Sequence, residues 1–416
     1  MKLYKLIVYL SVFLFLLSNN NIILADDEDF ENLDNISSFT ETSSDIITEP
    51  TINSRAAIVY DRNSGSILFG KNENEKRKMA STTKIMTAIV VIENSNLNDI
   101  VTISSKAAGT GGSRLGLHAN DKISVIHLLY GLLLCSGNDS AVALAEYIGG
   151  DVPSFAALMN SKCNELGLKS THFVTPHGLD DDEHYTTAYE LAIITNYALK
   201  NETFCRIVGT KNYTITINNY VKSLSNTNEL LGNLNGVYGV KTGFTNGANR
   251  CLVTAIKRDN MDLICIVLGS DTKKDRTKDS IELIEYVFNN FELVNIKEKV
   301  QTEFDNWKFC NMSSFKVEKG VSNNLDIILD DLPYDFLPVK HQQINSLGIY
   351  IYCNDSFKAP LMANSNIGYL TVSIGNKTVL TLNIKNTNSI YQKDIKDFFN
   401  YMMKDYIYNL ESIFFQ

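Results

Sequence analysis

Hydrophobic positions change their period several times along the chain, and each change marks an element. Residues 6–17 form an apolar run of twelve, broken only by Ser11, behind a short start holding Lys2 and Lys5. That run is too short to span a bilayer comfortably. Ile23-Leu24-Ala25 follows, with a small residue last and an aliphatic one two before it. Residues 1–25 therefore read as a secretory signal peptide cleaved after Ala25, with an uncleaved anchor as the alternative. Residues 26–51 lose the apolar pattern and read as an acidic, disordered spacer.

From Ala56 the pattern becomes strand-like. Ala57-Ile58-Val59-Tyr60 and Ser66-Ile67-Leu68-Phe69 flank a polar turn ending in Gly65, which predicts a β-hairpin. Residues 79–93, 125–134, 141–148, 154–166 and 188–199 predict helices. Residues 251–256 and 262–269 predict a second, strongly apolar hairpin, and 279–291 a further helix. Strands at both ends of a helical middle predict one α/β (α+β) domain over 52–293, with an antiparallel sheet and a helical subdomain. Past residue 295 short alternating segments dominate, at 325–329, 348–352, 368–374 and 378–384. Gly375-Asn376 joins the last two as a hairpin turn, so 297–388 reads as a small all-β domain. In 393–416, Ile395, Phe398, Phe399, Met402, Tyr406, Leu410, Ile413 and Phe414 recur at spacings of three and four. They predict an amphipathic helix that either packs on the β-domain or lies on a membrane surface.

Composition changes this picture little. The 416 residues are 44% hydrophobic and 20% charged, which is globular. The net charge is −9, but residues 26–50 hold nine acids and no base, so the rest of the chain is nearly neutral. No basic face for phosphates is indicated, and nucleic acid is not an expected partner. Seven cysteines, odd in number and widely spaced, include no C-x-x-C pair and read as buried thiols. His172, His177 and His184 lack H-E-x-x-H or other paired ligand spacing, so no catalytic metal is expected. No phosphate loop or G-x-G-x-x-G occurs either, and no cofactor is expected.

The candidate chemistry is nucleophilic. Ser81 and Lys84 open the first long helical stretch as Ser-x-x-Lys. Three residues make nearly one turn, so hydroxyl and amine share a face. A serine needs a base within hydrogen-bond reach, and an amine can serve. The pattern alone is weak, for it recurs at Ser270 with Lys273 and at Ser313 with Lys316. Ser136-Gly137-Asn138, in a turn between helices, adds a hydroxyl able to relay a proton and an amide able to hold both Lys and a substrate carbonyl. Lys241-Thr242-Gly243 occurs once, ahead of the apolar hairpin, and reads as an edge strand. Lys and Thr there suit a carboxylate, and Gly243 lets a substrate backbone lie close.

The order of these three motifs, with gaps of 55 and 105 residues, resembles the penicillin-recognising active-site serine enzymes. Gly112-Ser113-Arg114-Leu115-Gly116-Leu117, Thr175-Pro176-His177-Gly178-Leu179 and Lys241-Thr242-Gly243-Phe244-Thr245 narrow the resemblance. Together they look like the serine-type D-alanyl-D-alanine carboxypeptidases, the low-molecular-mass penicillin-binding proteins. Three loops depart from the family pattern, at Ala119-Asn120, Ala248-Asn249 and Asn364-Ser365-Asn366.

The resemblance implies a transpeptidase-like fold, an exported, envelope-associated enzyme and the peptidoglycan stem pentapeptide as substrate. It also implies β-lactams as covalent inhibitors. It assigns Ser81 as nucleophile, Lys84 as general base and Ser136 as proton relay. Asn138, Lys241, Thr242, Gly243, Phe244 and Arg276 would contact the substrate, with the oxyanion received by the N–H groups of Ser81 and Phe244. His177 would structure its loop. Two rivals stand beside this reading: a class A-like β-lactamase, and a non-catalytic wall-binding protein on the same fold. The first would carry Ser-Asp-Asn where this chain has Gly137.

Overall fold

A computed structural model describes residues 48–414; the expected signal peptide and residues 26–47 of the spacer lie outside the described residues. The chain divides between Asn289 and Asn290 into two units.

In the first unit, β1 (Ala56–Asp61) and β2 (Ile67–Lys71) form the expected hairpin. A 3-10 turn, Ala80–Thr83, leads into α1 (Lys84–Asn94). The helical middle holds α2 (Val125–Leu133), α3 (Asn138–Gly149), α4 (Val152–Glu165), α5 (Ala188–Ala198) and α6 (Glu202–Val208). A polar-topped hairpin, β3 (Asn212–Ile217) with β4 (Tyr220–Ser225), precedes β5 (Val237–Thr245), β6 (Asn249–Arg258), β7 (Met261–Ser270) and α7 (Lys273–Asn290).

The main sheet is antiparallel in the order β2-β1-β7-β6-β5. β6 and β7 are apolar and buried along nearly their whole length, as strands covered on both faces must be. β5 takes the edge, as its Lys-Thr-Gly sequence anticipates. α1 is buried along its first eight residues, Lys84 to Val91, which makes it the central helix of the unit.

In the second unit, β8 (Phe291–Asn295) leads into α8 (Ile296–Asn311). Then follow β9 (Lys316–Glu318), β10 (Ile327–Leu329), β11 (Phe336–Lys340), β12 (Leu347–Cys353), β13 (Ser356–Lys358), β14 (Asn366–Ile374) and β15 (Lys377–Asn386). Four of them make a sheet in the order β10-β15-β14-β12, and β8 pairs with β11. The reading of 297–388 as strands alone is corrected by α8. Its buried stripe is thin (Ile296, Val300 and Phe304), and the strand-like alternation around it masks the helix.

The last helix, α9 (Ile395–Phe414), falls within the 393–416 segment read as a helix. Apolar side chains of its first three turns stand in solvent: Phe399 is 63% and Met402 69% exposed. No described helix is long and apolar enough to cross a membrane.

Candidate active site

Ser81 sits in the 3-10 turn rather than in the α-helix proper. A 3-10 turn has three residues, so positions i and i+3 eclipse. Lys84 therefore stands directly over Ser81, with Nζ 2.8 Å from Oγ. Lys84 is fully buried. Its Nζ also lies 2.7 Å from Asn138 Oδ1 and 3.0 Å from the carbonyl oxygen of His177.

These partners dictate direction. The carbonyl of His177 and the Oδ1 of Asn138 only accept. The amide of Asn138 cannot be reversed, because its Nδ2 donates to Gly111 O at 2.8 Å. Of these three partners, only the Ser81 hydroxyl can also donate.

Ser136 and Asn138 flank the start of α3. Ser136 is 4% exposed, with a positive φ of 59°, and its Oγ has no hydrogen-bond partner among the described residues. Such a backbone is costly for a residue with a Cβ and is retained where geometry matters. At Gly137 a Cβ would come 2.8 Å from Asp139 Oδ1 and 3.0 Å from Leu115 N. The site therefore leaves no room for the middle Asp of a Ser-Asp-Asn motif.

β5 brings the third motif alongside. Lys241 and Thr242 are buried, with Lys241 Nζ donating to Thr242 O at 3.0 Å and Thr242 Oγ1 2.7 Å from Thr227 Oγ1. A Cβ on Gly243 would meet Ser81 N at 3.1 Å and Thr82 N at 3.2 Å. Glycine thus lets the edge strand lie against the Ser81 turn. Phe244 pairs with Arg250 across the β5–β6 ladder, and the Arg250 guanidinium stacks 3.9 Å from its ring centroid.

Arg276 is fully buried and bonded to Glu229, which also accepts from the Thr277 hydroxyl. Burial alone would raise the Glu229 carboxyl, but Arg276 and Thr277 hold it below the usual carboxylate range. Glu229 lies two residues from Thr227, whose hydroxyl is bonded to that of Thr242. Its place is a buried ion pair on α7, not a surface one.

The three histidines do not converge. His172 Nδ1 is bonded to Glu183 O, and His177 Nδ1 accepts from Leu179 N–H at 3.2 Å, organising its own loop. Burial, the largest cause, and then the neighbouring Lys84 push His177 down to about 3. It is neutral at pH 7 and a weak base there.

The motif reading missed Asp139. This fully buried carboxylate accepts four backbone N–H groups, from Leu115, Gly116, Leu117 and Ser140, at 2.7–3.0 Å. It ties the 112–117 loop to the start of α3, one residue from Asn138. Its position directly after Ser-Gly-Asn was the available signal.

A serine and a buried lysine on one turn, a Ser-Gly-Asn loop and a Lys-Thr-Gly edge strand together define an active-site-serine fold of the penicillin-recognising type. The family model for D-alanyl-D-alanine carboxypeptidases of peptidase family S11 matches residues 43–272. The D-alanyl-D-alanine carboxypeptidase DacF of Bacillus subtilis is 32% identical over 342 residues, 81% of this chain and 85% of its own. DacA of Escherichia coli K12 is 32% identical over 79% of this chain and 82% of its own. Penicillin binding protein 5 of Haemophilus influenzae superposes with a TM-score of 0.69 at 30% identity, covering 83% of this chain and 100% of its own. The DD-transpeptidase of Streptomyces K15 does so at 0.55 and 36% identity, over 57% of this chain and 98% of its own. The chain belongs to the D-alanyl-D-alanine carboxypeptidase family.

Proposed function

We propose that the protein is a serine-type D-Ala-D-Ala carboxypeptidase. It removes the terminal D-alanine of the peptidoglycan stem pentapeptide through an acyl-enzyme on Ser81. The 2.8 Å contact between Lys84 Nζ and Ser81 Oγ carries this reading, with Asn138 Oδ1 and His177 O as acceptors beside the amine.

Lys84 takes the hydroxyl proton as Oγ bonds to the carbonyl carbon of the penultimate D-alanine. The oxygen gains the negative charge and is received by the N–H groups of Ser81 and Phe244. The C–N bond then breaks, and the departing amine takes the proton from Lys84 by way of the Ser136 hydroxyl. Lys241 and Thr242 hold the terminal carboxylate, with Arg276 behind them through its ion pair. Water, activated by the same lysine, releases the acyl group. A β-lactam presents a carboxylate and an activated amide in the same arrangement and acylates Ser81.

The crowding at Gly137, where a Cβ would come 2.8 Å from Asp139 Oδ1, speaks against the β-lactamase reading, and the intact Ser81–Lys84–Asn138 contacts speak against a retired scaffold. The export signal in the sequence and the cell-wall enzymes among the relatives support an extracytoplasmic enzyme. The exposed apolar stripe of α9 supports peripheral contact with the membrane surface.

The test is intact mass of residues 26–416 after benzylpenicillin, together with D-alanine release from pentapeptide. One persistent adduct and D-alanine release in wild type, both absent in Ser81→Ala, are expected. An adduct that clears within seconds with drug turnover would move the reading to a β-lactamase. A folded wild type with neither adduct nor release would end it.

A further inference from the structure

His184 has no place in the steps above, yet its bonds run toward the nucleophile. Its ring is buried, edge-on to Phe173 at 5.6 Å. Nδ1 lies 3.0 Å from Val174 N and 3.4 Å from Thr175 N. Backbone amides only donate, so Nδ1 carries the lone pair and Nε2 the hydrogen. Nε2 is 2.8 Å from Thr83 Oγ1, and Thr83 Oγ1 is 2.8 Å from Ala80 O. A carbonyl only accepts. The chain therefore has one direction: His184 Nε2–H donates to Thr83 Oγ1, and the Thr83 hydroxyl donates to Ala80 O.

Ala80 O and the Ser81 N–H are the two ends of one peptide unit. That unit is planar and trans, so its N–H points opposite to its C=O, and fixing one fixes the other. The unit follows a residue under strain, for Ala80 has a φ of 49°. Gly178 backs the same carbonyl so closely that a Cβ there would fall 1.9 Å from Ala80 O. The Ser81 N faces Gly243, where a Cβ would come 3.1 Å from it.

We propose that His184 is a positioning residue: acting through Thr83, it clamps the Ala80–Ser81 peptide so that the Ser81 N–H aims at the oxyanion. The inference rests on the acyl-enzyme reading. It makes the loop that supplies His177 O to Lys84 responsible for the oxyanion donor as well. Base and oxyanion hole are then set by one loop.

Removing an oxyanion donor costs about 10²–10³ in rate, and misaiming one costs less. Thr83→Val keeps the shape of the side chain but breaks the relay; His184→Phe keeps the ring packing and does the same. Each is expected to lower the acylation rate constant for benzylpenicillin about 10- to 100-fold, with its non-covalent Kd unchanged. Thr83→Ser and His184→Gln, which retain a donor, are expected to recover most of the rate. The double variant Thr83→Val/His184→Phe is expected to be no slower than the worse single one, because both break one chain.

Rapid-mixing kinetics on the full exported chain, with melting curves alongside, read these values. Folded Thr83→Val or His184→Phe acylating within twofold of wild type would overturn the inference, as would a loss confined to Kd. If one variant fails to fold, the other decides. Wild type that never acylates would instead remove the functional reading itself.

Discussion

Asn138→Asp is the sharpest test of how Lys84 is used. The change is nearly isosteric, and it replaces the Nδ2 that donates to Gly111 O with an anionic oxygen. The retained oxygen stays 2.7 Å from Lys84 Nζ. Asn138 is 2% exposed and Lys84 fully buried, so water screens the new charge poorly. An opposite charge within hydrogen-bond distance shifts a titrating group by about 1–3 units toward its charged form. For Lys84 this means a higher pKa, with the neutral amine about 10- to 1,000-fold scarcer at pH 7. Benzylpenicillin acylation should slow by that factor. The ascending limb of its pH profile should move to higher pH, so that raising the pH recovers part of the rate. The lost donor to Gly111 O should also destabilise the protein by about 1–3 kcal/mol. Stopped-flow acylation between pH 6 and 10 reads the first effect and urea unfolding the second. A folded variant with the wild-type rate and an unmoved profile would refute the assignment of Lys84 as the base held neutral by these contacts.

Two further outcomes follow from buried groups. Asp139→Asn keeps one acceptor oxygen and turns an NH₂ group toward two of the four backbone N–H donors. Two charge-assisted bonds at about 1.5–3 kcal/mol each put the loss at about 3–6 kcal/mol by urea unfolding, and a loss below about 1 kcal/mol would contradict the assigned role. His177 is pushed down to about 3 by burial, then by Lys84 and His184; His184 is pushed down to about 4 by burial, against the opposing pull of Asp181. Both folded-state values lie below that of a free imidazole, about 6.5, so the unfolded chain binds the extra protons. The stability they contribute is complete above about pH 6.5 and is lost as the pH falls through 4 toward 3. Each adds up to about 1.4 kcal/mol per pH unit to the acid slope, and His184→Gln should flatten that slope by one histidine's share. An unchanged slope in a folded His184→Gln would contradict this.

Much of the molecule was legible along the chain because its causes are local. The apolar runs of β6 and β7, the period of α1 and the Gly375 hairpin turn each arise within a few residues of backbone. Ser81 and Lys84 share a turn, so their spacing already implied their contact. Where local pattern was ambiguous the reading fell short. α8 buries only three apolar side chains, yet its start carried a cap, Asn295, whose side chain accepts from Glu298 N–H at 3.1 Å. α7 begins at Lys273, earlier than apolar period suggested, because its first turns bury Arg276 and Asp279 rather than hydrophobic residues.

What the tertiary structure alone decided is direction. Spacing put a hydroxyl beside an amine; it could not say where the lone pair of that amine points. That depends on distant segments, among them Asn138, 54 residues away, and His177, 93 residues away, whose oxygens accept from the amine. The tautomer of His184 likewise depends on which backbone N–H groups surround it in space. Hydrogen bonds have a donor and an acceptor end, and only the folded neighbourhood assigns them. The residues that could do the chemistry were therefore written in the sequence, while which way each proton runs was settled when distant segments met.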